Sequence, residues 1–154
     1  MVAFEKKLDS DFDWALKQGG RHLRGEGDVH ETLRRIAERL DELNVAYAVL
    51  GPMAMFHHGF RRFTEEVDLL LTSDGLKVFR ESLEAGAYVR SNDDPRRVRD
   101  ARTGVRINFC VSGEYSGDGE PKRVAYPNPE GCTTEIGGLR VLEVPRLLDV
   151  LLAS

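Results

Sequence analysis

The sequence predicts one small α/β protein in which helices flank a mixed β-sheet. Three observations lead to this fold class. The chain has 154 residues, enough for one domain with a sizeable core. Apolar residues make up 41% and charged residues 31%, a balance typical of globular rather than disordered chains. Helical spacing alternates with short apolar runs, in the order helix, strand, helix, strand, helix and then mostly strands, which predicts a mixed sheet with helices mainly on one side.

The first predicted helix covers residues 10–18, with Ser10 as its cap. The Gly19–Gly20 pair should end it, and residues 21–27 read as a loop. The side chains expected to face the core are Phe12, Leu16 and Trp14. We expect residues 1–27 to be an N-terminal helical extension and residues 28–154 to form the main domain.

The main domain should begin with a long helix. Asp28 is placed to cap it, with Glu31 in the capping-box position, and Asn44 should close it. Between them, apolar residues recur at helical spacing, so one face should pack on the core. These residues are Leu33, Ile36, Ala37, Leu40 and Leu43.

Two buried strands come next, each followed by a helix. Residues 45–50 and 67–72 are the apolar strand segments. Gly51 turns the chain into a short helix over residues 52–58, where Pro52 suits the first position and Gly59 ends the segment. A second helix should run from Ser73 or Asp74 to about Ala85.

The C-terminal half reads mostly as strands. Residues 87–90 predict a short strand, and a hairpin should turn at Thr103–Gly104. Residues 112–131 are rich in Gly, Pro, Ser and Asn and predict a long loop, which is more often functional or mobile than passive. Residues 139–144 predict the last strand, and Pro145 opens a short helix.

Two carboxylates stand at the start of the second buried strand. Side chains two positions apart point to the same face of a strand, so Glu66 and Asp68 should project together. Two adjacent anions need a compensating charge. A divalent cation such as Mg²⁺ is one candidate. Solvent, or pairing with Arg61 and Arg62, is the other.

A glycine turn precedes this strand and favours the divalent cation as the compensating charge. Gly51 lets the backbone approach a phosphate, and the following helix N-terminus favours anions, although Pro52 removes one N–H donor. A phosphate-binding site next to a metal-binding site is the arrangement found in phosphoryl-transfer enzymes.

At this point the stretch from Tyr47 to Leu71 resembles the nucleotidyltransferase superfamily with the DNA-polymerase-β-like fold. It is most similar to the small bacterial branch of minimal nucleotidyltransferases and abortive-infection toxins. The family pattern is an apolar strand, a Gly-Gly or Gly-Ser pair, a short helix, a glycine, an Arg-x-Thr segment and an acid-apolar-acid strand. The matching residues here are Gly51, Pro52, Gly59, Arg62, Thr64, Glu66 and Asp68.

The resemblance implies Mg²⁺- or Mn²⁺-dependent transfer of a nucleotidyl group from a nucleoside triphosphate. Glu66 and Asp68 would hold metal, and Gly51, Pro52, Arg62 and Thr64 would line the nucleotide site. It also implies a helical partner protein, or a second copy of the chain, to supply the acceptor surface that many members build from a C-terminal helical region.

The sequence departs from the family pattern at three positions. Glu66 stands where Asp is commoner, Pro52 removes a phosphate donor, and Asn108 stands where a third acid is expected on a neighbouring strand. Asn brings no charge and is a poor base. Two functions stay open: an active nucleotidyltransferase, or a degenerate regulatory module that binds a nucleotide or a protein, as in a toxin–antitoxin pair.

Composition and charge narrow the classes of function and the cellular location that the sequence leaves open. A net charge of −4 disfavours a protein that wraps a long nucleic acid, although the arginines of residues 96–106 leave a local RNA or nucleotide contact open. No apolar run approaches the roughly 18–20 residues that span a bilayer. The charged N-terminus is unlike a signal peptide, and Cys110 and Cys132 fit no metal or disulfide pattern. We therefore expect a cytoplasmic protein with reduced thiols.

Overall fold

A computed structural model describes residues 1–83 and 86–153, which form six helices and one seven-stranded sheet. The helices are α1 (Phe4–Ser10), α2 (Phe12–Leu23), α3 (Asp28–Glu42), α4 (Gly51–His57), α5 (Ser73–Glu81) and α6 (Val144–Ala153). The strands are β1 (Ala48–Leu50), β2 (Glu66–Leu71), β3 (Tyr88–Arg90), β4 (Arg97–Asp100), β5 (Arg106–Val111), β6 (Thr133–Ile136) and β7 (Leu139–Leu142). The predicted fold class is confirmed.

The sheet is mixed, with strand order β3-β4-β5-β2-β1-β7-β6. β2 lies at its centre, parallel to β5 and antiparallel to β1, while β1 is parallel to β7. Hairpins form both edges, β3–β4 on one side and β6–β7 on the other. This order places the N-terminal ends of β2 and β5 side by side, which brings their polar residues together.

The two faces of β2 have different environments. Val67, Leu69 and Leu71 are fully buried on one face. On the same side of the sheet, Phe109 of β5 packs against Phe79 of α5, with ring centroids 5.1 Å apart. Because strand side chains alternate, the acidic residues of β2 project from the opposite face.

The N-terminal helices pack on the same core as the sheet. Phe4 is fully buried, and its N–H donates to the Gly104 carbonyl in the β4–β5 turn at 3.2 Å. Gly104 has φ +74, and a Cβ there would lie 2.1 Å from the Val2 carbonyl oxygen. Only glycine therefore lets the N-terminal segment pass over this turn. The division of the chain at residue 28 stays a prediction.

The prediction for the first helix is wrong at both ends. Ser10 ends α1, and Asp11 caps α2 by accepting the Trp14 N–H at 3.1 Å. The helix then continues through Gly19–Gly20 to Leu23. A helical glycine costs only about 1 kcal/mol relative to alanine, and tertiary contacts of the last turn outweigh that cost.

The predicted inner face of α2 is right for Trp14, which is partly buried against the core, and wrong for the other two residues. Phe12 and Leu16 are 75% and 64% exposed, whereas Gln18 and His22 are buried. Gln18 is held inside because its Oε1 accepts the N–H of Asp28 at 3.0 Å. A polar side chain with a satisfied hydrogen bond can replace an apolar one at a buried position.

That contact also corrects the predicted start of α3. The N-cap residue is Gly27, not Asp28, and Asp28 is the first helical residue. Gln18, ten positions earlier in the chain, provides the acceptor that a capping side chain normally provides. Glu31 pairs with Arg35 at 2.5 Å. Asn44, at φ +56, follows the helix in the left-handed region, where asparagine is tolerated.

Other boundaries differ by a few residues. β1 covers only Ala48–Leu50 of the predicted strand, and β7 ends at Leu142. α5 ends at Glu81, and the predicted end at Ala85 lies outside the described residues. Strand β6 was not predicted. It pairs with β7 across Gly137–Gly138, and a Gly-Gly pair between short β-prone runs is a hairpin signal that would have identified it.

A buried acidic network fixes the β4–β5 hairpin to α3. Asp100, 2% exposed, accepts the Thr32 hydroxyl at 2.7 Å and the Arg35 guanidinium through the same oxygen. Its other oxygen accepts the Arg102 N–H at 2.9 Å. This network holds β5 in its position beside β2. Among the described residues, no helix combines the length and apolarity needed to cross a membrane.

Candidate functional site

The predicted site residues meet where β2 and β5 run side by side. In the parallel register, Glu66 lies opposite Arg106 and Asp68 lies opposite Asn108. Asn108 therefore lies beside the acidic pair, and its Nδ2 donates to Asp68 Oδ1 at 2.9 Å. Two carboxylates, one guanidinium and one neutral amide therefore occupy one face of two adjacent strands.

Glu66 already has a positive partner. The Arg106 Nε donates to Glu66 Oε2 at 2.9 Å, and Nη2 of the same guanidinium contacts that oxygen too. This hydrogen bond raises the pKa of Arg106. The alternative partners considered from the sequence lie elsewhere: Arg61 donates to the Leu23 carbonyl at 3.2 Å, and Arg62 is exposed.

Asp68 is the more enclosed carboxylate. Burial raises its pKa from the ordinary 3.8 to about 6, although the hydrogen bond from Asn108 opposes the rise. The charge of Glu66 raises the pKa further. Asn108 Oδ1 is buried and has no hydrogen-bond partner among the described residues. The site therefore contains one carboxylate with a raised pKa and one amide oxygen without a hydrogen-bond partner among the described residues.

Gly51 makes room for this carboxylate. It lies at φ +67, and a Cβ at this position would fall 2.3 Å from Asp68 Oδ2. Pro52 follows in the first turn of α4, as predicted. α4 is only seven residues long and its cap residue, Leu50, makes no side-chain capping bond. The structure thus assigns Gly51 a role in seating Asp68, and phosphate binding by Gly51 and Pro52 stays a prediction.

Thr64 and Arg62 occupy the approach to β2. Thr64 is buried, and its hydroxyl donates to the Glu66 carbonyl at 3.0 Å. Through this contact Thr64 shapes the entry to β2. The backbone of Arg62 hydrogen-bonds the His22 ring. Ligand contacts by Arg62 and Thr64 stay predictions.

A cleft of about 650 Å³ opens beside Glu66 and Asn108. Its walls carry three arginines, each within reach of an acid: Arg106 with Glu66, Arg96 with Glu114 at 2.6 Å, and Arg97 with Asp94 at 3.6 Å. The cleft is therefore mixed in charge.

The long loop closes one side of this cleft. Tyr115 and Tyr126 both line it. Tyr126 is tied to the loop start, because its N–H donates to the Glu114 carbonyl at 2.8 Å. Burial raises the pKa of Cys110 to about 11, which makes this thiol unsuited to act as a nucleophile at neutral pH.

Arg106 is the functional candidate that the site prediction omitted. It was noted only as one of several hairpin arginines. Strand periodicity could have identified it, because Arg106 and Asn108 are two positions apart on β5 and must share a face. The missing information was the parallel register with β2, which no local pattern reveals.

The donor set does not fit a two-metal centre. Such a centre shares several carboxylates between two divalent cations. Here one carboxylate is bound by a guanidinium, and the third position carries an amide. Within residues 1–83 and 86–153, no three His, Cys, Asp or Glu side chains are grouped so as to hold a metal ion.

The histidines lie away from this site. His58 Nε2 contacts the Leu142 carbonyl at 2.8 Å. His22, His30 and His57 form a cluster of tilted and edge-to-face rings, with the first two ring centroids 4.5 Å apart and the last two 5.9 Å apart. Burial lowers the pKa of all three, that of His30 to about 4. These three rings are packed side chains.

Comparison with known proteins supports the fold alone. No family model matches the chain, and no curated protein matches it. Among solved structures, a candidate nucleotidyltransferase from Thermotoga maritima is similar, with a TM-score of 0.52 and 16% identity over 79% of this chain and 81% of that chain. Together with the mixed sheet and its flanking helices, this likeness shows that the chain has a nucleotidyltransferase-like fold.

Proposed function

We propose that this chain is a nucleotide-binding module of nucleotidyltransferase-like fold whose transfer chemistry has been lost. The observation that carries the proposal is the double contact between Arg106 and Glu66. The guanidinium of Arg106 contacts the carboxylate that a catalytic cation would need. Arg106 therefore supplies the positive charge that a metal ion would otherwise supply.

The charge balance supports this reading. Glu66, Asp68, Arg106 and Asn108 together carry one formal negative charge when both acids are ionised. A third carboxylate in place of Asn108 would double it, which is the condition that favours binding of divalent cations. With the amide in place, a cation would have to displace Arg106 before it could bind both acids.

If Arg106 left Glu66, its guanidinium could bind the phosphate groups of a nucleotide instead. Guanidinium groups bind phosphate oxygens through paired hydrogen bonds. The cleft beside Arg106 also contains Arg96 and Arg97, and Tyr115 offers an aromatic face for a base. A nucleoside triphosphate could therefore be held by side chains alone, and the module would act through a partner protein or a second copy of the chain.

A second candidate is the Mg²⁺- or Mn²⁺-dependent nucleotidyltransferase itself. It is favoured by one observation: Glu66 and Asp68 are both kept on the cleft face, and Gly51 leaves the space that Asp68 needs. In that case the two acids would hold the cation, whose role would be to stabilise the triphosphate charge, with a nucleoside triphosphate as substrate.

Calorimetric titration with ATP, GTP, CTP and UTP, with Mg²⁺ or Mn²⁺ and with a chelator, separates the two. For the binding module we expect one triphosphate to bind with similar affinity in both conditions and Arg106→Gln to weaken binding at least about tenfold. Arg102→Gln is the matched control, since Arg102 is an exposed arginine of the same hairpin.

Other outcomes decide against the proposal. Binding that requires the metal and disappears in Asp68→Asn would favour the enzyme and justify a screen for acceptors. Binding only in Asn108→Asp would mean that the third position alone disables a metal site. Absence of binding in every variant would overturn both candidates and leave only the fold.

A further inference from the structure

Helix α2 presents an apolar stripe to the outside of the molecule. Phe12, Leu16 and Leu23 are 75%, 64% and 46% exposed, and Gly19 lies between the last two. At about 100° per residue these four positions fall on one line along the helix. We call them the α2 stripe. The helix therefore buries Gln18 and His22 beside Trp14 and leaves this apolar stripe on its outer side.

The stripe contains a notch. A Cβ at Gly19 would meet nothing within 4 Å, so the surface beside Leu16 is open. Two consecutive glycines in a helix interior cost about 1 kcal/mol each relative to alanine. Neither has a positive φ that would require glycine. Folding alone does not explain them, whereas a close approach of another helix would.

The ends of α2 carry opposite charges. Asp11 and Asp13 lie at its N-terminal end, and Arg21 and Arg24 lie at its C-terminal end, all of them exposed. Asp13 and Arg24 are about three helical turns apart and so lie on the same flank of the stripe. A second helix of the same sequence would match this pattern only if it ran in the opposite direction.

We propose that the α2 stripe is a homodimer interface, in which α2 packs antiparallel against α2 of a second copy around a two-fold axis. Phe12 then faces Leu23 of the second copy, and Leu16 enters the notch at Gly19 of the second copy. Asp13 lies beside Arg24 of the second copy, and each contact occurs twice because such an interface is self-complementary. This inference is independent of the proposed nucleotide function.

The expected dimer is weak. One pair of short helices buries less surface than the roughly 1,600 Å² of a standard interface. We expect a dissociation constant of roughly micromolar size.

Sedimentation velocity on the full chain, from about 5 to about 500 µM, tests the proposal. The wild type should shift from monomer to dimer over this range. Leu16→Glu should remain monomeric. Gly19→Leu should also remain monomeric while its melting temperature stays equal or rises, since the notch is filled on an open helix surface. Loss of association without loss of stability separates the interface from a folding effect.

Two further variants make the test specific. Asp13→Arg should weaken association, and combining it with Arg24→Asp should restore it. Leu152→Glu on α6, where the leucine is 82% exposed, is the matched control and should leave association unchanged. A monomeric wild type at every concentration would overturn the proposal. So would a dimer that persists in Leu16→Glu, or one that is lost in Leu152→Glu.

Discussion

Asn108 donates a hydrogen bond to Asp68 across two parallel strands, with 2.9 Å between Nδ2 and Oδ1. In the resembled family an acid is expected at the position of Asn108, so the contact replaces a repulsion by an attraction. The hydrogen bond favours the ionised form of Asp68 and partly offsets the effect of burial on its pKa.

Asn108→Asp should reverse this balance. Without metal, a third carboxylate next to Glu66 and Asp68 should lower the free energy of unfolding at pH 7.5 by about 1–2 kcal/mol, because like charges repel and a hydrogen bond is lost. Added Mn²⁺ should raise the melting temperature of this variant but not that of the wild type. Thermal unfolding with and without Mn²⁺ measures both effects, and equal responses of the two proteins would contradict the prediction.

Gly51→Ala should disturb Asp68 as well as the backbone. Position 51 combines φ +67 with a Cβ contact of 2.3 Å to the carboxylate, so we expect a loss of at least about 2 kcal/mol in denaturant unfolding. Gly137→Ala is the control, since φ there is +58, close to that of Gly51, and a Cβ meets nothing within 4 Å. If both variants lose the same stability, the contact with Asp68 contributes nothing.

Asp100→Asn should weaken the attachment of the β4–β5 hairpin to α3. An amide nitrogen in place of Oδ2 would leave both the Thr32 hydroxyl and the Arg35 guanidinium without their buried acceptor, and in place of Oδ1 it would face the Arg102 N–H. Breaking a buried charged pair costs about 3 kcal/mol, which urea unfolding would detect. Asp118→Asn, at an exposed pair with Lys122, should leave the unfolding midpoint unchanged.

The histidine cluster should make stability depend on pH. His30 has a folded pKa of about 4, below its ordinary value of 6.5, so between these values the unfolded chain binds more protons. The free energy of unfolding should therefore fall as the pH is lowered from 6.5 to 4, by up to about 3 kcal/mol from His30 alone. His30→Phe should flatten this slope in urea titrations at several pH values. An unchanged slope would show that other groups cause it.

The sequence was most informative where local chemistry decides the structure. The β4–β5 turn at Gly104 and the turn at Gly51 follow from turn residues, and the placement of Asn108 beside the acidic pair is what the family resemblance implies. Each of these predictions needed only a short stretch of chain or a family pattern.

The remaining features depend on partners distant in sequence. The orientation of α2 is set by Gln18, which caps α3, and by His22, which stacks on His30. An amphipathic pattern cannot anticipate that two polar residues of α2 are buried while Phe12 and Leu16 are exposed. Likewise Arg106 meets Glu66 only because β5 pairs with β2 in one register. These are tertiary effects that override local preference.

The contact between Phe4 and Gly104 also bears on the order of events during synthesis. Chains emerge from the ribosome N-terminus first. The surface that receives Phe4 includes the β4–β5 turn, whose residues are made about a hundred positions later. The first two helices therefore cannot complete their packing, and Phe4 lacks its contact with this turn, until the residues of the β4–β5 hairpin have been translated. Their docking is expected to be a late folding step, and nascent chains stopped before the hairpin should be preferred clients of chaperones.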